Sequence, residues 1–250
     1  MAIAVGKGPG LTGRGAPPEM QLDLHPDMSI ERHSLGAEGA PLLVIDRLVA
    51  DPERLTRRAA RCYFEPKGKM FPGIRARAPL SYENLLELVL GPLLQEHFGL
   101  RARRLIFPLC HYSLVTRPPD SLEFLQRVPH IDSTNGIGLA TVHYLFRGDW
   151  GGTAFYRHRR TGFEYVDEAR KAEYSQCLKE ESSGSEAPDA GYINGSTPLF
   201  EQVARVDGVF NRMVVYRRNS LHSGCIESSR VPPADPRTGR LSINTFIDVR

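Results

Sequence analysis

The chain has 250 residues, 41% of them hydrophobic, and a formal net charge of +3. That length can bury a sizeable core in one domain, and the weak, dispersed basicity gives no strong case for nucleic acid, so none is expected as a partner. Two further classes fall away: no stretch reaches the roughly twenty apolar residues of a membrane span, and four cysteines without C-x-x-C spacing make no zinc finger.

Residues 1–25 are rich in glycine and proline and have no hydrophobic period, which predicts a flexible arm ahead of a single domain spanning 26–250. Leu42–Asp46 reads as a strand. Asp51-Pro52-Glu53 then opens a helix with a capping carboxylate and a proline in the first turn, burying Leu55, Ala59 and Cys62 on one face. Phe71 to Arg77 is a loop or edge strand, and its Arg75 and Arg77 are candidates to grip a substrate carboxylate. Ser81 caps a second helix that turns Leu85, Leu88 or Val89, and Leu93 inward. Two helices ahead of β-rich sequence predict an α+β fold, mainly β.

From about residue 105 the pattern is β-rich, with a first strand around Tyr112. The segment Pro129-His130-Ile131-Asp132 follows. On extended chain, residues i and i+2 share a face, so His130 and Asp132 can meet one ion. Far downstream, Leu221-His222-Ser223-Gly224 offers a third ligand. Two imidazoles and one carboxylate leave three positions of an octahedron open, the arrangement suited to non-haem Fe(II) activating dioxygen.

Between these points lie a polar turn, the strand-like run Ile137–Phe146, and Trp150-Gly151-Gly152-Thr153-Ala154-Phe155-Tyr156. Arg157 begins a basic run whose alternate members would face a cavity. Residues 164–195 break the strand pattern with a helix-forming stretch and the polar segment Ser182–Glu186, an excursion that reads equally as a lid or a solvated surface loop. Phe210–Tyr216 is again strand-like. After His222, a turn-rich segment to Gly239 leads into the closing strand, Arg240-Leu241-Ser242-Ile243-Asn244-Thr245-Phe246-Ile247.

The order H-x-D, G-G-T-x-F, distal histidine, then arginine before a final strand resembles the 2-oxoglutarate- and Fe(II)-dependent oxygenase superfamily, including its prolyl-hydroxylase-like members. Within it, the chain looks most like a bacterial domain family of unknown function. The resemblance implies a double-stranded β-helix, the jelly-roll or cupin-like barrel, over about residues 105–250, supported by the N-terminal helices. It makes His130, Asp132 and His222 the iron ligands and Arg240 the partner of the far carboxylate of 2-oxoglutarate, a role that suits a planar, permanently charged guanidinium. Ser242 shares the face of Arg240 and could add a hydroxyl. Tyr144 matches a position that often supplies a phenol to the same carboxylate, and Tyr112 is a further candidate. Arg240 follows His222 at a greater distance than in many relatives, an excess that the intervening loop absorbs.

The implied activity oxidises a C–H bond by hydroxylation, desaturation or cyclisation, consuming O2 and 2-oxoglutarate, with ascorbate as a reductant. Asp132 argues against halogenation, because halogenating relatives carry a small residue there. A small molecule is the expected substrate, amino-acid-like or a natural-product intermediate; a protein or peptide side chain is the alternative. Two other classes are metal-dependent hydrolases, which would want further cavity ligands, and a non-catalytic jelly-roll binding module. Free thiols and the lack of an apolar leader predict a cytoplasmic protein.

Overall fold

The computed structural model describes residues 20–250 apart from 69 and 102. Most of the predicted arm lies outside them. Its last residues are held: Met20, Leu22 and Leu24 pack against the main core, and Leu24 bridges Val49.

Among the described residues the fold is mainly β, with eleven strands in two antiparallel sheets. These are β1 (Ser29–Leu35), β2 (Ala40–Asp46), β3 (Glu65–Pro66), β4 (Gly73–Arg77), β5 (Leu105–Val115), β6 (Leu139–Tyr144), β7 (Thr153–His158), β8 (Phe200–Val206), β9 (Met213–Arg217), β10 (His222–Gly224) and β11 (Leu241–Val249). The large sheet runs β1-β2-β9-β6-β11-β5-β4-β3 and the small one β10-β7-β8.

The two-residue period of the strands divides the large sheet into two faces. Leu43, Ile45, Cys110, Tyr112, Met213, Val215, Leu241 and Ile243 meet helices α1 (Pro52–Ala59) and α2 (Leu80–Phe98). The opposite face, with Leu42, Val44, Ala140, Val142, Val214 and Tyr216, meets Phe155 and Val206 of the small sheet. The two sheets face one another without joining into one hydrogen-bonded ring.

Helix α1 starts as its sequence predicts, the Asp51 carboxylate accepting from the Arg54 amide at 3.2 Å. Leu55 and Ala59 are buried, with Cys62 just beyond the last turn. Helix α2 departs from expectation. Pro79 precedes its first residue and Ser81 makes no cap, while Gly99, in the left-handed region at φ 64°, ends it. The inward stripe is Tyr82, Leu85, Leu86, Val89, Leu90 and Leu94, whereas Leu88 is 68% exposed. Taking 86 and 90 into the stripe keeps the spacing of three and four and turns Leu88 to solvent.

A short helix α3 (Phe124–Arg127) leads into the H-x-D segment. The 164–195 excursion holds α4 (Lys171–Glu181), which lays Tyr174, Cys177 and Leu178 on the side of the small sheet formed by Ala154, Tyr156 and Phe200. That side is turned away from the large sheet, since Phe155 between them points into the inter-sheet core. The buried His158 ties the end of α4 down, with Glu181 2.9 Å from its Nε2. Helix α4 is therefore packed as a buttress, while Tyr192, near the end of the excursion, lines a pocket with Pro72, His130 and Arg240. No helix among the described residues is long and apolar enough to cross a membrane, and all four cysteines are free thiols.

Candidate metal centre

The H-x-D segment runs antiparallel to the stretch leading into β10. His130 and His222 exchange both backbone hydrogen bonds, at 2.9 and 3.0 Å, and the Asp132 amide donates to the Arg218 carbonyl at 2.8 Å. Directly opposed residues of an antiparallel pair present their side chains on one face, so the bridge brings the imidazoles together with ring centroids 4.5 Å apart. Asp132, two residues on, returns to the same face. Its Oδ1 lies 3.9 Å from His130 Nε2 and its Oδ2 3.5 Å from His222 Nε2. One ligand atom from each residue falls within 4.8 Å of the others.

Each group is in a form that can ligate. His222 Nδ1 lies 2.9 Å from the Ser220 carbonyl. A carbonyl only accepts, so Nδ1 carries the proton and the Nε2 lone pair is left for an ion. Burial lowers His222 from 6.5 to about 4, and burial together with the neighbouring His222 lowers His130 to about 4, so both imidazoles are neutral at pH 7. Burial also raises the Asp132 carboxyl above its ordinary value, against the pull of His130, Arg75 and Arg218. A divalent cation would relieve that penalty directly.

These ligands open onto a cavity of about 330 Å³ between the sheets, lined also by Thr153, Tyr216, Asn244, Phe246 and two arginines, Arg75 and Arg240. Arg240, just ahead of β11, is 5% exposed; its Nε donates to the Trp150 carbonyl at 2.9 Å and its Nη2 to the Gly152 carbonyl at 2.8 Å. The glycine pair makes this possible. A Cβ at Gly151 would sit 1.5 Å from the Cys225 carbonyl oxygen, and one at Gly152 1.8 Å from that of Val206. Among the described residues no carboxylate pairs with Arg240, and burial lowers its pKa. A buried cation held by carbonyl dipoles alone lacks a counter-charge, which an anion in the cavity would supply.

The remaining predicted site residues divide by strand parity. Tyr144 lies on the cavity face of β6, its hydroxyl 2.7 Å from Thr153 Oγ1, and burial raises the phenol to about 12. Ser242 lies on that face of β11 and donates to Asn244 Oδ1 at 2.7 Å. Tyr112 is a correction: it belongs to the helix-facing core, opposite Ile243 in the β5–β11 register, and is not brought to the cavity. Arg77 pairs with Glu83 of α2, and Arg157 pairs with Glu164 at 2.6 Å and Glu201 at 2.9 Å, so neither is brought to the cavity. The sequence reading missed Thr153 and Asn244. The signal for Asn244 was present, because the period that selects Ser242 continues to Asn244 and Phe246.

Fold and site together define a mainly β protein with a partly buried cluster of two histidines and one carboxylate beside a buried arginine. The chain belongs to the Family of unknown function (DUF6445), matched over residues 26–247. No curated protein matches it. Among solved structures it is similar to HygX from Streptomyces hygroscopicus with nickel and 2-oxoglutarate bound, at 12% identity and TM-score 0.49, covering 83% of this chain and 82% of that one. The same protein with nickel, 2-oxoglutarate and hygromycin B bound gives 11% identity and TM-score 0.44, covering 89% and 82%.

Proposed function

We propose that this chain is a non-haem Fe(II)- and 2-oxoglutarate-dependent oxygenase acting on a C–H bond of a small molecule, and that its facing sheets are a double-stranded β-helix. The observation that carries the reading is the convergence of His130, Asp132 and His222 within 4.8 Å in the cavity that also holds Arg240. The donor set fits the metal: two neutral imidazoles, one with its tautomer fixed, and a carboxylate, leaving open positions. Bound there with 2-oxoglutarate, Fe(II) supplies dioxygen activation for C–H oxidation, with succinate and carbon dioxide as co-products.

The chain's own residues do the rest. Ser220 orients His222, the bridge between His130 and His222 sets ligand spacing, and Arg240 neutralises the far carboxylate of the co-substrate, with Tyr144 and Thr153 beside it. Phe155 and Tyr216, against His222, keep water from that side of the centre. A metal-dependent hydrolase would want further ligands, and the spare histidines do not supply them: His143 stacks on Tyr82 and bonds Asn211 on the helix side, and His158 is tied to Glu181. A reducing cytoplasmic compartment suits the free thiols, with ascorbate as an auxiliary reductant.

Anaerobic titration with Fe(II) and then 2-oxoglutarate tests the reading. A weak visible charge-transfer band is expected, followed by succinate release on admitting air, both absent in His130→Ala. Metal binding with no response to 2-oxoglutarate would leave a metal-binding module instead.

A further inference from the structure

We infer that Arg75 is the anchor for a carboxylate-bearing substrate, held beside the metal-ligand cluster and separately from the site of Arg240; the inference rests on the proposed function only in assuming that the cavity is where substrate binds. The register of the large sheet places Arg75, Ser113, Ser242 and Tyr144 in one transverse row. Arg75 on β4 is two strands from β11, roughly 10 Å at the usual strand spacing. Arg240 lies off that row, just ahead of β11, and its guanidinium is tied to the Trp150 and Gly152 carbonyls, so the two arginines are held at separate places in the cavity.

Three observations single out Arg75. It lines the cavity with His130 and Asp132, and its charge acts on both. Its neighbour of the same parity, Arg77, is neutralised by Glu83, whereas no carboxylate among the described residues pairs with Arg75. Its Nε is buried and meets no hydrogen-bond acceptor among them. The guanidinium is held in place by the Phe71 ring, with Cζ 4.1 Å from the centroid, so its edge is presented already oriented.

The Nε is shut off from the cavity, but neither Nη is, and the two Nη–H groups form the end-on fork that a carboxylate accepts with both oxygens. The nearby wall is apolar, with Met70, Phe71, Ile131 and Phe246. The ligand class is thus a small organic acid with an apolar body, its anion on Arg75 and the body reaching the metal ligands.

The test uses the full chain loaded with Zn(II), which is diamagnetic, and observes arginine Nε–H signals by NMR, assigned through Arg75→Lys and Arg240→Lys. With 2-oxoglutarate saturating, N-acetylglycine should shift the Arg75 signal saturably at millimolar concentration, while N-acetylglycinamide, the neutral twin, should not. Arg75→Gln should weaken binding of the acid about 10- to 100-fold with Zn(II) affinity unchanged. The inference is overturned if the amide binds as well as the acid, if inorganic phosphate binds in preference to the acid, if no probe moves the Arg75 signal, or if Arg75→Gln loses Zn(II), which would make Arg75 a positioning residue for Asp132. Should 2-oxoglutarate leave the Arg240 signal unmoved while N-acetylglycine still shifts that of Arg75, the oxygenase reading fails and the anion site stands.

Discussion

Under the proposed function, one side chain, Arg240, separates binding of co-substrate from binding of metal. Arg240 is 5% exposed, its guanidinium donates to two backbone carbonyls, and none of the candidate metal ligands is among its hydrogen-bond partners. Arg240→Leu removes the cation and leaves the carboxylate of 2-oxoglutarate facing an apolar wall. Losing one partner of a buried charge pair costs about 2–5 kcal/mol, so affinity for 2-oxoglutarate should fall about 30- to 4000-fold. Fe(II) affinity, measured by anaerobic titration, should stay close to that of the unaltered protein. His222→Ala inverts the pattern, because the bare Nε2 is gone and metal binding goes with it. Equal loss of metal and co-substrate in Arg240→Leu would contradict the assignment of roles.

The elements around the site have separable tasks. Helix α2 supports the large sheet from the face opposite the cavity, so Leu86→Ala, at a position with no exposure, should destabilise the fold by about 2–5 kcal/mol, seen as a lowered denaturation midpoint, and leave metal affinity intact. Helix α4 buttresses the outer side of the small sheet, and Gly184–Glu186 lie beside Arg160 and Leu199 rather than with Tyr192 near His130, so deleting Ser182–Glu186 should leave both succinate release and the substrate profile unchanged; an altered profile would favour a lid. How much of this was legible follows from the same geometry. The grouping of His130, Asp132 and His222 was legible because H-x-D fixes a face whatever the register, and a distal histidine followed by an arginine and a strand follows a recognisable order. Tyr112 could not be placed, because Leu109 to Val115 is apolar or ambivalent on both parities, and only pairing with β11 shows that His111 and Ser113 take the cavity side. Strand β1 escaped notice because its residues are mostly exposed and polar, as befits a sheet edge. The excursion's packing was illegible because a polar composition does not reveal that Tyr174 and Cys177 are buried.

For the molecule as a whole, burying four imidazoles links stability to pH. His111, His130, His143 and His222 are each lowered from 6.5 to about 4, chiefly by burial. Between those values the unfolded chain binds protons that the folded chain refuses, so the metal-free fold loses stability as pH falls from about 6.5 toward 4. His143 alone, with no exposure and its Nε2 bonded to Asn211, contributes about 3 kcal/mol across that window; His130 is half-buried and counts for less. Asp132, raised above its ordinary value, opposes the trend, but it is one group against four. Thermal melts of the metal-free protein should therefore show a steadily falling Tm below pH 6.5. Adding Ni(II) should raise Tm at pH 6, because His130 and His222 are still deprotonated there, and that gain should vanish only as pH nears 4, where protons compete for the same lone pairs. A metal-induced gain already lost near pH 6.5 would mean that the two imidazoles titrate as solvated groups, and the metal centre as drawn would have to be abandoned.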